Sequence, residues 1–371
     1  AAVLNAVRKS GDIGFAESYM AGHWTSPDVV LLLRLMLVNR EALERMIYGS
    51  WWGSFLHRIQ HAFKRNSRAG SQKNIHAHYD IGNSFYSLWL DAGMSYSSAW
   101  FNQTHALASA QDAKINRALE QIEATPGIRI AEIGCGWGAL AEMAALKYGA
   151  YVDGITLSDE QLEWGLARME RLEIDKQADL MRLDYRDLPK RAQYAPYDAI
   201  VSIEMFEAVG KAYWGEFFSV VFESLKRGGK ACIQTITIRD DLFAKYERGT
   251  DFIQQYIFPG GYIPALSEVV PAIEKAGLLV CDIEILRLHY AETLKAWRDR
   301  FMARREEAVR LYDERFARMW EFYLAASEMS FRKQNLMNFQ IQLTKRQGVV
   351  PMTRDYIAHE EAKLRGVERG Q

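Results

Sequence analysis

The chain has 371 residues, 49% of them hydrophobic and 12% aromatic, enough for one large domain and a smaller companion. A formal charge of -1 leaves no global footprint for nucleic acid. Cys135, Cys232 and Cys281 are widely spaced in apolar contexts, which reads as reduced thiols in a cytoplasmic protein rather than a disulfide framework, and no spacing fits a metal.

Residues 1 to about 75 carry helix-like patterns and no convincing strand. The apolar run VVLLLRLMLV, Val29 to Val38, is broken by Arg34 and falls short of the ~20 residues that cross a bilayer. No signal-peptide pattern opens the chain. In SWWGSFLHRIQHAFKRNSR, the residues Trp51, Trp52, Phe55, Leu56, Ile59 and Phe63 recur at helical spacing. Trp51 to Ile75 holds five Lys/Arg and no Asp/Glu. A basic amphipathic helix with indoles suits an anionic membrane surface; a helix packed on the main domain is the other reading. The charged, polar stretch Lys64 to Asn74 marks a boundary, giving a helical, membrane-associating part at 1–75 and a main domain at 76–371.

From about Ile128, strands alternate with helices, the mark of a doubly wound, mostly parallel sheet. IRIAEIG, YVDGITL, ADLMRLDY, YDAIVSIE and ACIQTITI read as five strands, with LLVCDIEILRL and NFQIQLTKR as later ones. Ser158, with Gln161 three residues on, predicts a capping box at a helix start. FFSVVFESLKRGGK predicts a helix stopped by Gly228 and Gly229. A helical stretch runs from Ala291 to about Arg332.

EIGCGWGAL joins the first strand to the first helix with Gly134, Gly136 and Gly138 alternating. The spacing is GxGxG, not the GxGxxG of a dinucleotide site, and no Lys-Ser/Thr follows. With the acid Glu132 before it, the loop fits the adenosyl and methionyl parts of S-adenosylmethionine better than a phosphate. Thr156 and Gln161 stand ready for the sugar and amino-acid ends, and Asp184 and Tyr185 for an adenine edge. Glu204 and Glu207 close the fourth strand at the same rim, where open α/β sheets place their sites.

The strings HYDIGNSFYSLWLDAGMSYSSAWF, EIGCGWGALA, GITLSDEQ, DYRDL, SIEMFEAVGKAYW, IQQYIFPGGYIP and LHYAETLKAWRDRF, in that order, resemble cyclopropane fatty acid synthases and their relatives that modify mycolic acids. The resemblance runs from roughly His76 to the last helices. It implies a class I methyltransferase fold, a seven-stranded Rossmann-like sheet with helical insertions behind an N-terminal helical domain. It also implies S-adenosylmethionine as donor and the cis double bond of an unsaturated phospholipid acyl chain as acceptor. Such a protein works from the inner face of the membrane, peripherally bound and often dimeric. By motif, the resemblance puts the cofactor on Tyr96, Ser97, Gly134, Gly136, Thr156, Gln161 and Tyr185. Tyr290, and Tyr256 with it, offer ring faces to a carbocation.

The resemblance also implies a bicarbonate base held by the backbone after a Tyr-Ser-Cys, by Glu207, by a His on the fifth strand, by Tyr290 and by the backbone of Ile236. Here Ser98 replaces the Cys, Gln234 the His, Ala208 follows Glu207 in place of His, and Glu204 stands where Gly is usual. These departures disfavour bicarbonate and predict that the Glu204/Glu207 pair shares a proton, with one pKa raised, as a built-in acid/base. Cyclopropane formation is the default product, with a methyl or methylene branch close behind. A methyltransferase for another substrate and a non-catalytic lipid binder are the rival classes.

Overall fold

The computed structural model describes residues 2–39, 81–102 and 104–345. The basic segment around Trp51 and the start of the HYDIGN string lie outside them. Seven strands form one sheet in the order β3-β2-β1-β4-β5-β7-β6. They are β1 Arg129–Ile133, β2 Tyr151–Thr156, β3 Ala178–Arg182, β4 Tyr197–Ile203, β5 Leu225–Ile238, β6 Leu278–Ile285 and β7 Leu336–Lys345. The first five run parallel, and β7 enters antiparallel between β5 and β6. Parallel strands covered on both faces need near-continuous apolar runs, and Ala199, Ile200 and Val201 of β4 are all buried.

Chain order reverses between β1 and β4, so their carboxyl ends diverge and leave a crevice, the usual place for a ligand in an open sheet. Beyond that rim an aromatic cluster joins the segment Phe85–Leu90, the helices Arg287–Ala303 and Glu314–Arg332, and the N-terminal helices Ala2–Met20 and Val29–Val38. Trp89, Trp297 and Trp320 are wholly buried there. Truncating any one to Ala costs about 3–5 kcal/mol. Asp28 caps the second N-terminal helix, accepting from Leu31 N at 2.9 Å. Among the described residues no helix is long and apolar enough to cross a membrane.

Two local expectations change. The helix before β5 covers Trp214–Ser224 and ends before the two glycines, because Leu225 turns extended and is buried in the sheet. Lys226 to Gly229 therefore belong to the first half of β5, and the β4–β5 register shifts between Tyr197 and Ala199. Ser158 does cap its helix, accepting from Gln161 N at 3.3 Å. The Gln161 side chain does not complete the box; it accepts from Thr156 Oγ1 at 2.9 Å.

Candidate active site

The glycine loop after β1 and the ends of β2 and β4 wall a cleft lined by Tyr96, Ser97, Lys114, Glu132, Gly134, Gly136, Thr156, Gln161, Tyr185 and Glu204, among others. Gly136 has φ +53°, and a Cβ added there would meet nothing within 4 Å. That opening is space for a ligand against bare backbone. Gly138 plays another part, since its Cβ would press on Met169 Cε at 3.0 Å and Leu180 Cδ1 at 3.3 Å. It lets the first helix settle on the sheet. Asp184 also stays out of the lining: it accepts from Arg186 N at 3.0 Å and pairs with Arg186 Nε at 3.2 Å. The Tyr185 hydroxyl is buried beside Arg186, and burial pushes it up to about 12.

One wall of the cleft is charged. Glu132 is buried, which pushes its carboxyl up to about 8, and its Oε2 finds no hydrogen-bond partner among the described residues. Lys114, equally buried, is brought down to about 8 by desolvation and donates to Ser97 Oγ at 2.6 Å. On the opposite side the Tyr96 ring is clamped among Trp89, Trp297 and Phe258, its hydroxyl 2.8 Å from that of Tyr323.

Glu204 follows β4 directly and has φ +52°, a left-handed conformation that costs a non-glycine residue about 1–2 kcal/mol. What holds it there is a cage of donors. Its Oε1 accepts from Ser98 N at 2.9 Å, Gln234 Nε2 at 2.7 Å and Asn338 Nδ2 at 2.8 Å. Its Oε2 accepts from the Tyr290 hydroxyl at 2.6 Å. Gln234 is turned the right way because its own Oε1 accepts from Gln340 Nε2 at 3.0 Å. Ser98 contributes only its backbone, as its hydroxyl bonds Ala99 O. Glu207 sits in a separate set of donors, taking Thr235 Oγ1 at 3.1 Å and Ile236 N, with its Oε2 buried and without a hydrogen-bond partner among the described residues. Burial first and the Glu204 charge second push Glu207 up to about 8. Tyr256 lies apart, its hydroxyl 2.5 Å from Glu17.

The sequence reading named Glu204, Gln234, Ser98 and Tyr290, and the fold brings all four together. It missed Asn338 and Lys114. Asn338, Gln340 and Gln342 alternate along β7 with their side chains buried, a polar stripe at strand period that was readable as an inward face. Lys114 stands on the helix Leu107–Gln121 between the buried Ala110 and Ala118. A lysine on a helical stripe is ordinarily taken for solvent-facing.

A cradle that a Cβ would fill at Gly136, and an orphaned carboxylate oxygen at Glu132, fit the adenosyl and amino-acid ends of S-adenosylmethionine. The sheet order, the reversed seventh strand and this cleft define a class I S-adenosylmethionine-dependent methyltransferase.

Comparison with known proteins narrows the class. A profile of the mycolic acid cyclopropane synthetase family matches residues 66–341, and the chain belongs to that family. It is 36% identical over 356 residues to the tuberculostearic acid methyltransferase UfaA1 of Mycobacterium tuberculosis, spanning 93% of this chain and 81% of that one. Against the cyclopropane-fatty-acyl-phospholipid synthase of Escherichia coli K12 it is 32% identical, spanning 91% and 85%. The solved mycolic acid cyclopropane synthase CmaA1 complexed with SAH and CTAB superposes with a TM-score of 0.68 at 30% identity, over 74% of this chain and 98% of that one. The chain is thus an S-adenosylmethionine-dependent methyltransferase of a lipid-modifying family that includes cyclopropane synthases and C-methyltransferases.

Proposed function

We propose that the enzyme methylates a carbon of an isolated cis double bond in an unsaturated acyl chain of a membrane phospholipid, with Glu204 as its built-in base, and that the product is branched. The observation that carries this reading is the cage of four donors on Glu204. Two of its positions, residue 234 and Tyr290, are those the family resemblance gives to a bicarbonate ion, and Ser98 N adjoins the backbone contact it places after the Tyr-Ser-Cys. The Glu204 carboxylate takes up their hydrogen bonds. S-adenosylmethionine, when bound, supplies the electrophilic methyl group. Tyr96, Ser97, Gly134, Gly136, Thr156, Gln161 and Tyr185 hold it in the cleft, and Glu132 faces its amino-acid end.

Methylation of an alkene carbon leaves a cation on its neighbour, and a proton must then go. Each carboxylate oxygen has about two acceptor positions, so Oε1, with three donors, is filled, and Oε2, with one, keeps a single position open beside Tyr290. Hydrogens adjacent to the cation are the most readily lost, because their bonds are weakened by it. Ring closure draws the proton from the new methyl group, one carbon farther off, and calls for a base that can approach it. An anchored side chain moves less than a diffusible anion, which favours the branch. The ring is the second reading, favoured by the placement of Glu204 among the donors where ring-forming relatives hold their base. The name of the Mycobacterium relative at 36% identity supports the branch, and that of the Escherichia coli relative the ring.

Incubation with labelled donor and monounsaturated phospholipid vesicles, followed by proton NMR of the fatty acid methyl esters, separates the two products. Upfield ring methylene signals would overturn the branch. Native activity should ignore added bicarbonate, whereas Glu204→Gly should depend on it. A native enzyme that needs the ion would refute the built-in base. The lipid is reached from the membrane surface, and a flotation assay with anionic vesicles tests that.

A further inference from the structure

We propose that Lys114 is a positioning residue for the donor's amino-acid end: through its hydrogen bond to Ser97 it turns the Ser97 hydroxyl hydrogen into the cleft, toward the donor's carboxylate. The proposal rests on the assignment of this cleft to S-adenosylmethionine. An ammonium only donates. At 2.6 Å from Lys114 Nζ, the Ser97 oxygen is therefore the acceptor, and its own hydrogen must seek another partner. No described residue accepts it. The serine's backbone is held in place, its carbonyl accepting from Gln111 Nε2 at 2.8 Å.

Lys114 itself is 2% exposed, and Ser97 Oγ is the hydrogen-bond partner that the described residues give it. Two of its three N–H bonds are unspent. Glu204, Asp91 and Glu132 offset part of its charge from nearby but accept none of its N–H bonds among the described residues, and a buried ammonium with unspent donors is costly until a further acceptor completes it. Of the described residues that line the cleft, Lys114 alone has a positive side chain. Glu132, with its orphaned Oε2, lines the same cleft. Together a hydroxyl backed by an ammonium, and a carboxylate with a free oxygen, complement a zwitterion: the first matches a carboxylate and the second an amino group.

The probes are S-adenosylhomocysteine and its decarboxylated analogue, which keeps the amine and lacks the carboxylate, each titrated by calorimetry. Lys114→Gln and Ser97→Ala should each weaken S-adenosylhomocysteine by roughly tenfold to a hundredfold, the range for a hydrogen bond to a charged group. Neither should change the Kd of the analogue by more than about threefold, and the double variant should lose no more than either single one. Equal losses on both ligands, or additive losses in the double variant, would overturn the proposal. If Lys114→Gln does not fold, Ser97→Ala alone decides by the same ratio of ligands. Failure of the native protein to bind S-adenosylhomocysteine would remove the cleft assignment itself, a result distinct from a flat ratio.

Discussion

The donor cleft and the Glu204 cage lie on the same rim of the sheet but are built in opposite ways. The cleft is made largely of backbone that turns sharply within a few residues of β1 and β2, so its shape follows from local glycine spacing. The cage gathers Ser98, Glu204, Gln234, Tyr290 and Asn338 from five distant segments, and it exists only when β4, β5 and β7 are in register. Side chains fixed by long-range pairing are the ones that vary chemistry on a constant scaffold. Damage to the cage should therefore strike turnover, and damage to the loop should strike donor affinity.

The largest effect is expected at the cage's centre. Glu204→Gln keeps the size and removes the basic oxygen, so kcat should fall by roughly 10²–10⁴-fold, the usual contribution of a positioned general base. Donor Kd should stay within about threefold of native. A comparable loss in Kd would erase the division between the two regions.

Tyr290→Phe sharpens the same point. The ring keeps its place on Phe331, 4.5 Å between centroids, while Oε2 of Glu204 loses its donor. A hydrogen bond to a charged group stabilises by about 1.5–3 kcal/mol, so kcat should drop roughly tenfold to a hundredfold. An unchanged kcat would mean that Tyr290 only fills space.

On the other side, Gly136→Ala should weaken donor binding by about tenfold, or about 1.4 kcal/mol, with kcat at saturating donor unchanged. The added Cβ meets no protein atom within 4 Å, so its obstruction falls on the ligand. Calorimetry and saturation kinetics on one preparation would check both halves.

The contrast also explains what was legible in the chain. Gly134, Gly136 and the five parallel strands announce themselves by spacing and apolar runs. Glu204 stood out as an acid closing the fourth strand where the resembling family has Gly, and the structure gives it φ +52°. Asn338 and Lys114 were hidden for one physical reason: a polar side chain at a buried position is recognised only by its partner, and neither Glu204, 134 residues from Asn338, nor Ser97, 17 residues from Lys114, is paired with it by any local periodicity. Gln234↔Gln340 and Ile236↔Asn338 are neighbours only through the antiparallel entry of β7. The end of the helix before β5 was misread because glycines stop helices in general, whereas here burial of Leu225 in the sheet stops it sooner.

The smallest expected effect concerns stability. Glu207 rises from 4.5 to about 8 in the folded chain, chiefly by burial, so the folded state holds this proton more tightly than the unfolded state. Stability from this group is complete below the unfolded value and is lost as pH rises toward 8. Glu132 acts in the same direction over the same window. Lys114, lowered to about 8, acts oppositely and only above that pH. Glu207→Gln removes one of the two carboxyls and keeps a neutral group of the same shape, so the fall in Tm between pH 5 and 8 should become shallower without vanishing. Parallel slopes for native and variant would show that Glu207 ionises as freely in the fold as in water. The orphaned Oε2, buried beside the caged Glu204, would then have no part in setting the charge of the site.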